Sequence, residues 1–282
     1  MQMNKHFAQE TFSCEKYYIY YFQGEVPEEL AADHSHFIGN WQEEGFSFLF
    51  FSAPADDIVD AVPAADSTCV FIDQYEMTSE QWHGEEIRSY TTGCFSVSPP
   101  WKIAFVNQPG IKHLLLDPGV VFGTGRHQTT SDCLGYIEYL FNNETIDSVV
   151  DMGTGTGLLA IGAAAMGCRK ILALDFNRLA VKTALNNIRL NAFEDSILAI
   201  QARAEDYIFQ DADLLVANIH YDVMKKLLET RGFYRKKWVI LSGLLRSEAE
   251  KVVSNIEQQG VIIVDRVCHD GVWNTILGKN QK

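Results

Sequence analysis

"SVVDMGTGTGLLAIGAAAMG", residues 148–167, is an apolar run that breaks into a glycine-rich turn and resumes as a stretch of small residues. It reads as a buried strand, a tight turn and a helix. Such a turn lets backbone N–H groups approach a ligand at a helix N-terminus. Its pattern is Asp151-x-Gly153-x-Gly155-x-Gly157. A dinucleotide-binding turn wants G-x-G-x-x-G, and here Leu158 stands at the last position. Asp151, at the end of the strand, would repel a pyrophosphate and suits a ligand that carries positive charge. S-adenosylmethionine carries an ammonium and a sulfonium and no phosphate. Asp175 closes the next apolar run, 22 residues after Gly153, where a carboxylate can accept both ribose hydroxyls. NAD would use the same acid, so Asp151 and Leu158, not Asp175, separate the two cofactors.

Outward from this unit, short apolar runs alternate with helical patterns. Strands are expected at Ser148–Met152, Lys170–Asp175, Ile197–Gln201, Asp213–Asn218, Trp238–Ser242, Val261–Val267 and Val272–Leu277. Their nearly continuous apolar character suits strands covered on both faces. Helices are expected at 157–167, 177–190, 221–230 and 247–259. The last has a Ser247-x-x-Glu250 capping box and stops at Gly260. No helix separates the final two strands. The expected fold is therefore α/β, a Rossmann-like domain with a mostly parallel sheet ending in an antiparallel hairpin, over residues 146–282.

Residues 1–98 read as a small α+β domain of ferredoxin-like type. "KYYIYYF", "FSFLFF" and "CVFID" are strands, Glu28–Glu44 is broadly helical and "PADDIVDAV" is a short helix. Pro99-Pro100 marks the joint, and residues 99–145 form a linker and a second glycine loop, "DPGVVFGTGRHQTT", from Asp117 to Thr130.

The charge is unevenly divided. Residues 1–100 hold 17 acidic and 3 basic side chains, whereas residues 101–282 hold 20 of each. An acidic module repels phosphate backbones, which disfavours direct nucleic-acid binding and favours a basic partner, with a solubilising face as the alternative. The six cysteines form no CxxC pair, and the eight histidines form no HExxH. This pattern fits reduced thiols in the cytoplasm and no metal site; the His34/His36 pair reads as solvated. No apolar run is long enough to span a bilayer.

"LLLDPGVVFGTGRHQTT", "DMGTGTGLLAIGAAAMG", "LALDFNRLAVKTALNNIRLN", "LLVANI" and "LSGLL" together resemble the successive motifs of the bacterial ribosomal protein L11 methyltransferases (PrmA-type). The resemblance runs from residue 99 to the closing "VWNTILGKN". It implies a class I methyltransferase domain that uses S-adenosyl-L-methionine. It also implies that the loop from Asp117 to Thr130 folds over the cofactor and that Thr130 contacts it. Gly153, Asp175 and Asn218 complete the implied site, beside Asp151 and Gly155 from the loop pattern. The sequence departs from the family at Arg126 and Gln128 around His127, at His220 after Ile219, at Thr154, and at Asn177-Arg178. These departures bear on the methyl acceptor more than on the cofactor.

The implied reaction is methyl transfer to lysine or N-terminal amines of a ribosomal protein, with L11 as leading substrate. Asn218 would orient the amine. His127 and His220 are weaker candidates for a proton acceptor, and Trp101 and Phe122 for pocket walls. The expected enzyme is a cytoplasmic monomer. The alternatives are another lysine-bearing protein or a small molecule as acceptor, and a regulatory protein that binds the cofactor without catalysis. A nicotinamide dehydrogenase is disfavoured by Asp151 and Leu158.

Overall fold

The computed structural model describes residues 16–104, 106–121 and 123–281. The chain divides into two compact units. One is Met1–Ile87 with Asn177–Leu179, the other Arg88–Phe176 with Ala180–Lys282.

The N-terminal unit contains β1 (Lys16–Gln23), α1 (Glu29–Ala32), β2 (Phe37–Glu43), β3 (Phe46–Phe51), α2 (Ile58–Ala65), β4 (Val70–Thr78) and α3 (Ser79–His83). Its sheet has the order β2-β3-β1-β4 and every pairing is antiparallel. Aromatic and β-branched residues at alternate positions turn one face inward, with Tyr20, Phe22, Leu49 and Phe51 packed against Ile58 and Val62 of α2. The Tyr20 hydroxyl donates to Asp56 Oδ1 at 2.8 Å and accepts the Ala55 N–H at 2.8 Å. The helix expected over Glu28–Glu44 is corrected. Only Glu29–Ala32 is helical, and the remainder holds β2, which pairs with β3 through a turn at Glu44–Gly45. Phe37, Ile38 and Trp41 favour a pleated surface, and pairing with β3 outweighs the weak helical preference of the flanking acids.

The second unit begins earlier than the prolines suggest. It contains β5 (Tyr90–Thr92), β6 (Phe95–Ser98), β7 (Lys112–Leu115), α4 (Gln128–Asn143), β8 (Val149–Met152), α5 (Leu158–Ala165), β9 (Ile171–Asp175) and α6 (Arg178–Leu190). There follow β10 (Ile197–Gln201), α7 (Ala204–Tyr207), β11 (Leu214–Asn218), α8 (Tyr221–Leu228), β12 (Trp238–Leu245), α9 (Arg246–Gln258), β13 (Val261–His269) and β14 (Trp273–Asn280). Strands β5, β6 and β7 form a small sheet. Phe95 and Val97 of β6 are buried in one core with α4 and α5. The expected boundary at residue 98 thus moves to Ile87/Arg88, because Pro99 follows a strand that already belongs to the second core. Residues 99–145 are likewise more than linker and loop, since they carry β7 and the whole of α4.

The main sheet has the order β10-β9-β8-β11-β12-β14-β13. The first five strands are parallel, and β14 runs antiparallel to both its neighbours. Helices α4, α5 and α6 bury Leu134, Ile137, Ile161 and Ile188 on one face of this sheet. Helices α8 and α9 bury Met224, Leu227, Val252 and Ile256 on the other. Helix α9 starts one residue before its expected cap. Glu248, not Glu250, reaches back, and its carboxylate accepts the Leu245 N–H at 2.8 Å. Glu250 instead pairs with Arg246 at 3.4 Å. The chain order reverses between β8 and β11, and that crevice, at the carboxyl ends of the strands, is where open α/β sheets bind ligands.

Candidate active site

Parallel pairing fixes the level of the site. Met152 pairs with both Leu174 and Ala217, and Asn218 pairs with Ser242. Gly153, Asp175 and Asn218 therefore emerge side by side from β8, β9 and β11. The Gly153 and Thr154 N–H groups both donate to Leu174 O at 2.8 Å, which ties the turn to the end of β9. Gly153 has φ 75°, and a Cβ there would lie 2.2 Å from Ile219 Cγ2. Backbone conformation and space both demand glycine.

Two buried acids flank the turn. Asp151 is 1% exposed and its Oδ2 accepts the Thr154 hydroxyl at 2.6 Å. Burial pushes its carboxyl up to about 6, the Asp175 charge adds to the rise, and hydrogen bonds from Thr154 and Ala160 oppose it. Asp175 Oδ2 accepts the Gly155 N–H at 3.0 Å. The sequence places an acid at each strand end, and the structure holds both against the loop's own N–H and O–H groups.

The second glycine loop meets the first at several atoms. The Thr156 hydroxyl donates to Gly123 O at 3.0 Å. Gly125 has φ 81°, and a Cβ on it would fall 1.9 Å from the Tyr90 hydroxyl and 2.4 Å from Leu158 Cδ2. At the loop's end, Asn218 Nδ2 donates to the hydroxyls of Thr129 and Thr130, each at 3.4 Å. Two expected site residues, Thr130 and Asn218, are thus neighbours. Between the loops stands Asn187, which the sequence reading gave no role. Fully buried on α6, its Oδ1 accepts the Asp117 N–H at 2.8 Å, and its Nδ2 donates to Asp117 O at 2.9 Å and Thr156 O at 2.8 Å. One turn later, Asn191 binds both the N–H and the C=O of Leu115, at 2.9 and 2.7 Å. The signal in the sequence is a pair of asparagines at i, i+4, one on α6 and one just past its end, on the stripe that also holds Val181, Ala184 and Ile188. Asp117 is itself buried, and burial pushes its carboxyl up to about 6.

The two histidine candidates lie at the margin of this row. His127 is exposed; its Nδ1 accepts the Thr129 N–H at 3.4 Å and lies 2.7 Å from that residue's hydroxyl, so it caps α4. Its ring meets Trp273 edge-on at 5.2 Å. His220 is exposed at the start of α8. Trp101 is 40% exposed, and Phe122 lies outside the described residues. His34 and His36 have ring centres 5.9 Å apart, and His34 packs edge-on to Phe51.

Residues 61–281 match the model of the family described as ribosomal protein L11 methyltransferase (PrmA). The chain belongs to this family. The PrmA match begins within α2, so the strands before residue 61 fall outside it. A ribosomal protein L11 methyltransferase of Desulforamulus reducens is 33% identical over 189 residues, covering 64% of this chain and 58% of that protein. One from Streptococcus pyogenes is 31% identical over 216 residues, covering 74% of this chain and 67% of that one. The chain thus spans a little under three fifths of the Desulforamulus protein. Among solved structures, a ribosomal protein L11 methylase from Lactobacillus delbrueckii subsp. bulgaricus superposes with TM-score 0.62 at 25% identity, over 69% of this chain and 100% of that one. PrmA membership and this likeness agree with the Rossmann-like sheet described above.

Proposed function

We propose that this PrmA-family chain binds S-adenosyl-L-methionine at the ends of β8, β9 and β11 and transfers its methyl group to amine nitrogens of a basic protein, ribosomal protein L11 first among them. The observation that carries the reading is the pair of buried acids, Asp151 and Asp175, held on either side of a glycine turn that follows no dinucleotide pattern. The donor set fits the cofactor: carboxylates for an ammonium and a ribose, N–H groups at a helix start, and no lysine or arginine within the turn to hold a pyrophosphate. When bound, the cofactor supplies a methyl group on a sulfonium.

The residues of the chain supply the remainder. A lysine ammonium has a pKa of about 10.4, so roughly one in a thousand is neutral at pH 7.4. The acceptor must be desolvated and lose its proton before attack. Asn218, beside Thr129 and Thr130, is the group we assign to orient the amine within about 3–3.5 Å of the methyl carbon. Thr130 and Gly155 are assigned to the cofactor on the same reading. Residues 16–87, with their β-α-β-β-α-β order, support a ferredoxin-like unit that recruits the basic partner. Action on a ribosomal protein implies work in the cytoplasm; among the described residues, no helix is long and apolar enough to cross a membrane.

Calorimetry with S-adenosylmethionine and with NADH tests the cofactor, and tight binding of NADH alone would overturn it. Transfer of labelled methyl groups to proteins of a lysate lacking the enzyme, read by mass spectrometry, tests the acceptor. Labelling of a protein other than L11 would replace the substrate, and binding without any labelling would leave a regulatory protein.

A further inference from the structure

Beside the candidate site, a groove of about 530 Å³ lies between α4 and the last two strands of the sheet. Its helix wall is Ser131, Asp132, Gly135, Tyr136 and Tyr139, and its floor includes Val267 and Leu277. Ser131, at one end of the groove, directly follows Thr130 in α4. From Ser131 to Tyr139 it follows α4 for about 12 Å at 1.5 Å per residue, a length that accommodates three or four extended residues.

Two carboxylates and no lysine or arginine line it. Both carboxylates are fixed in place. Asp132 is held by His269 Nε2 at 2.9 Å and by the Thr275 hydroxyl at 2.9 Å. Asp265 accepts the Tyr136 hydroxyl at 3.1 Å and the Arg266 N–H at 2.8 Å. Tyr139 and Val264 leave apolar surface open at the rim, being 46% and 41% exposed. Strand β13 ends the sheet order, so its outer edge has no paired strand among the described residues.

Gly135 is the telling residue. Glycine inside a helix costs about 0.5–1 kcal/mol relative to alanine, and close packing usually explains it. Gly162 in α5 is such a case, since a Cβ there would lie 2.7 Å from Leu134 Cδ2. At Gly135 a Cβ would meet nothing within 4 Å. Among the described residues, no atom accounts for the missing side chain.

We propose that this groove docks an extended, lysine- or arginine-bearing segment of the protein substrate, its cationic side chain seated between Asp132, Asp265 and the two tyrosine rings. Fixed carboxylates and aromatic faces are the complement of a flexible cation on an aliphatic stem. The two carboxylates, with no lysine or arginine in the lining, disfavour a phosphate backbone or an acidic peptide there. The docking role rests on the proposed amine methylation for its choice of partner, and its test is separable from that reading.

The test uses the full chain and the blocked peptide Lys-Ala-Lys-Ala-Lys, with Glu-Ala-Glu-Ala-Glu as control. Gly135→Leu fills the groove, and Asp265→Asn removes one charge. We expect the lysine peptide to bind the native protein and the acidic one not to. Gly135→Leu should weaken that binding about tenfold or more, the effect of losing one good contact, and Asp265→Asn should weaken it less. The affinity for S-adenosylmethionine should stay level, Gly135→Leu should melt no lower than the native protein because the helix loses its glycine, and KM for the basic protein acceptor should rise while kcat holds. Equal peptide binding by Gly135→Leu and native protein overturns the proposal, as does absence of peptide binding, or a chain that self-associates through β13 in sedimentation. Groove-dependent peptide binding without methyl transfer would leave the docking site standing and remove the methyltransferase reading instead.

Discussion

Asp151 sets burial against charge. Its folded carboxyl, pushed up to about 6, holds a proton that the unfolded chain, near 3.9, has already released. Stability from this group is therefore present at low pH and lost as pH rises from about 4 to about 6, and Asp117 shares that window. A bound cation reverses the preference by favouring the carboxylate. On the proposed reading, the affinity for S-adenosylmethionine should climb as pH rises through about 6, by up to about tenfold per unit below it. Calorimetry from acid to neutral pH checks this, and Asp151→Asn should flatten the curve; a native affinity indifferent to pH would remove the ammonium from Asp151. Asp175→Ala should cost roughly 1.5–3 kcal/mol of cofactor binding, the range for hydrogen bonds to a charged group. Both acids were legible in the sequence because each ends an apolar run. Asn187 and Thr156 were not, because their partners are backbone atoms far along the chain, and no local pattern announces such bonds.

At the scale of elements, the strands of the main sheet were legible and α4 was not. Each strand is an apolar run bounded by turn residues, which buried parallel pairing requires. The first turns of α4 hold Thr129, Thr130, Ser131 and Asp132, which favour caps and turns, and the helix carries Gly135. Its apolar residues Cys133, Leu134, Ile137 and Leu140 do keep a helical stripe, and that stripe was the missed signal. In β2 the error ran the other way, since aromatic cross-strand pairing overrode the expected helix. The contact between the two glycine loops makes a further expectation specific. Asn187→Leu would strip three buried bonds from the strap between them, and each stranded buried group costs about 1–3 kcal/mol. Urea unfolding should show a loss of several kcal/mol, with cofactor affinity falling as well. Thr130→Val, which keeps the shape and removes one acceptor of the Asn218 amide, should lower cofactor affinity by calorimetry. An unchanged affinity would assign the Asp117–Thr130 loop to folding or docking.

Across the whole molecule, the acidic excess lies in the first hundred positions while the remainder is balanced. Attraction from such a module acts over about 8 Å at physiological ionic strength and about 3 Å at 1 M. Encounter with a lysine-rich ribosomal protein should therefore slow steeply with salt, whereas cofactor binding at the buried acids should not. A chain beginning at Arg88 retains the complete second core and should bind S-adenosylmethionine while methylating the protein acceptor poorly. Equal kcat/KM for both chains, at low and high salt, would reduce the acidic unit to a solubility feature. The sheet order carries a last consequence, for synthesis. Strand β14 occupies the slot between β12 and β13, although it follows both in sequence. On a chain emerging N-terminus first, "VIIVDRV" of β13 is made before the only strand that pairs with it among the described residues. Until β14 arrives, the nascent protein carries a sticky, unmated ribbon beside an unfinished sheet. Its window of greatest exposure to misassembly is the brief interval before β14 has emerged and seated.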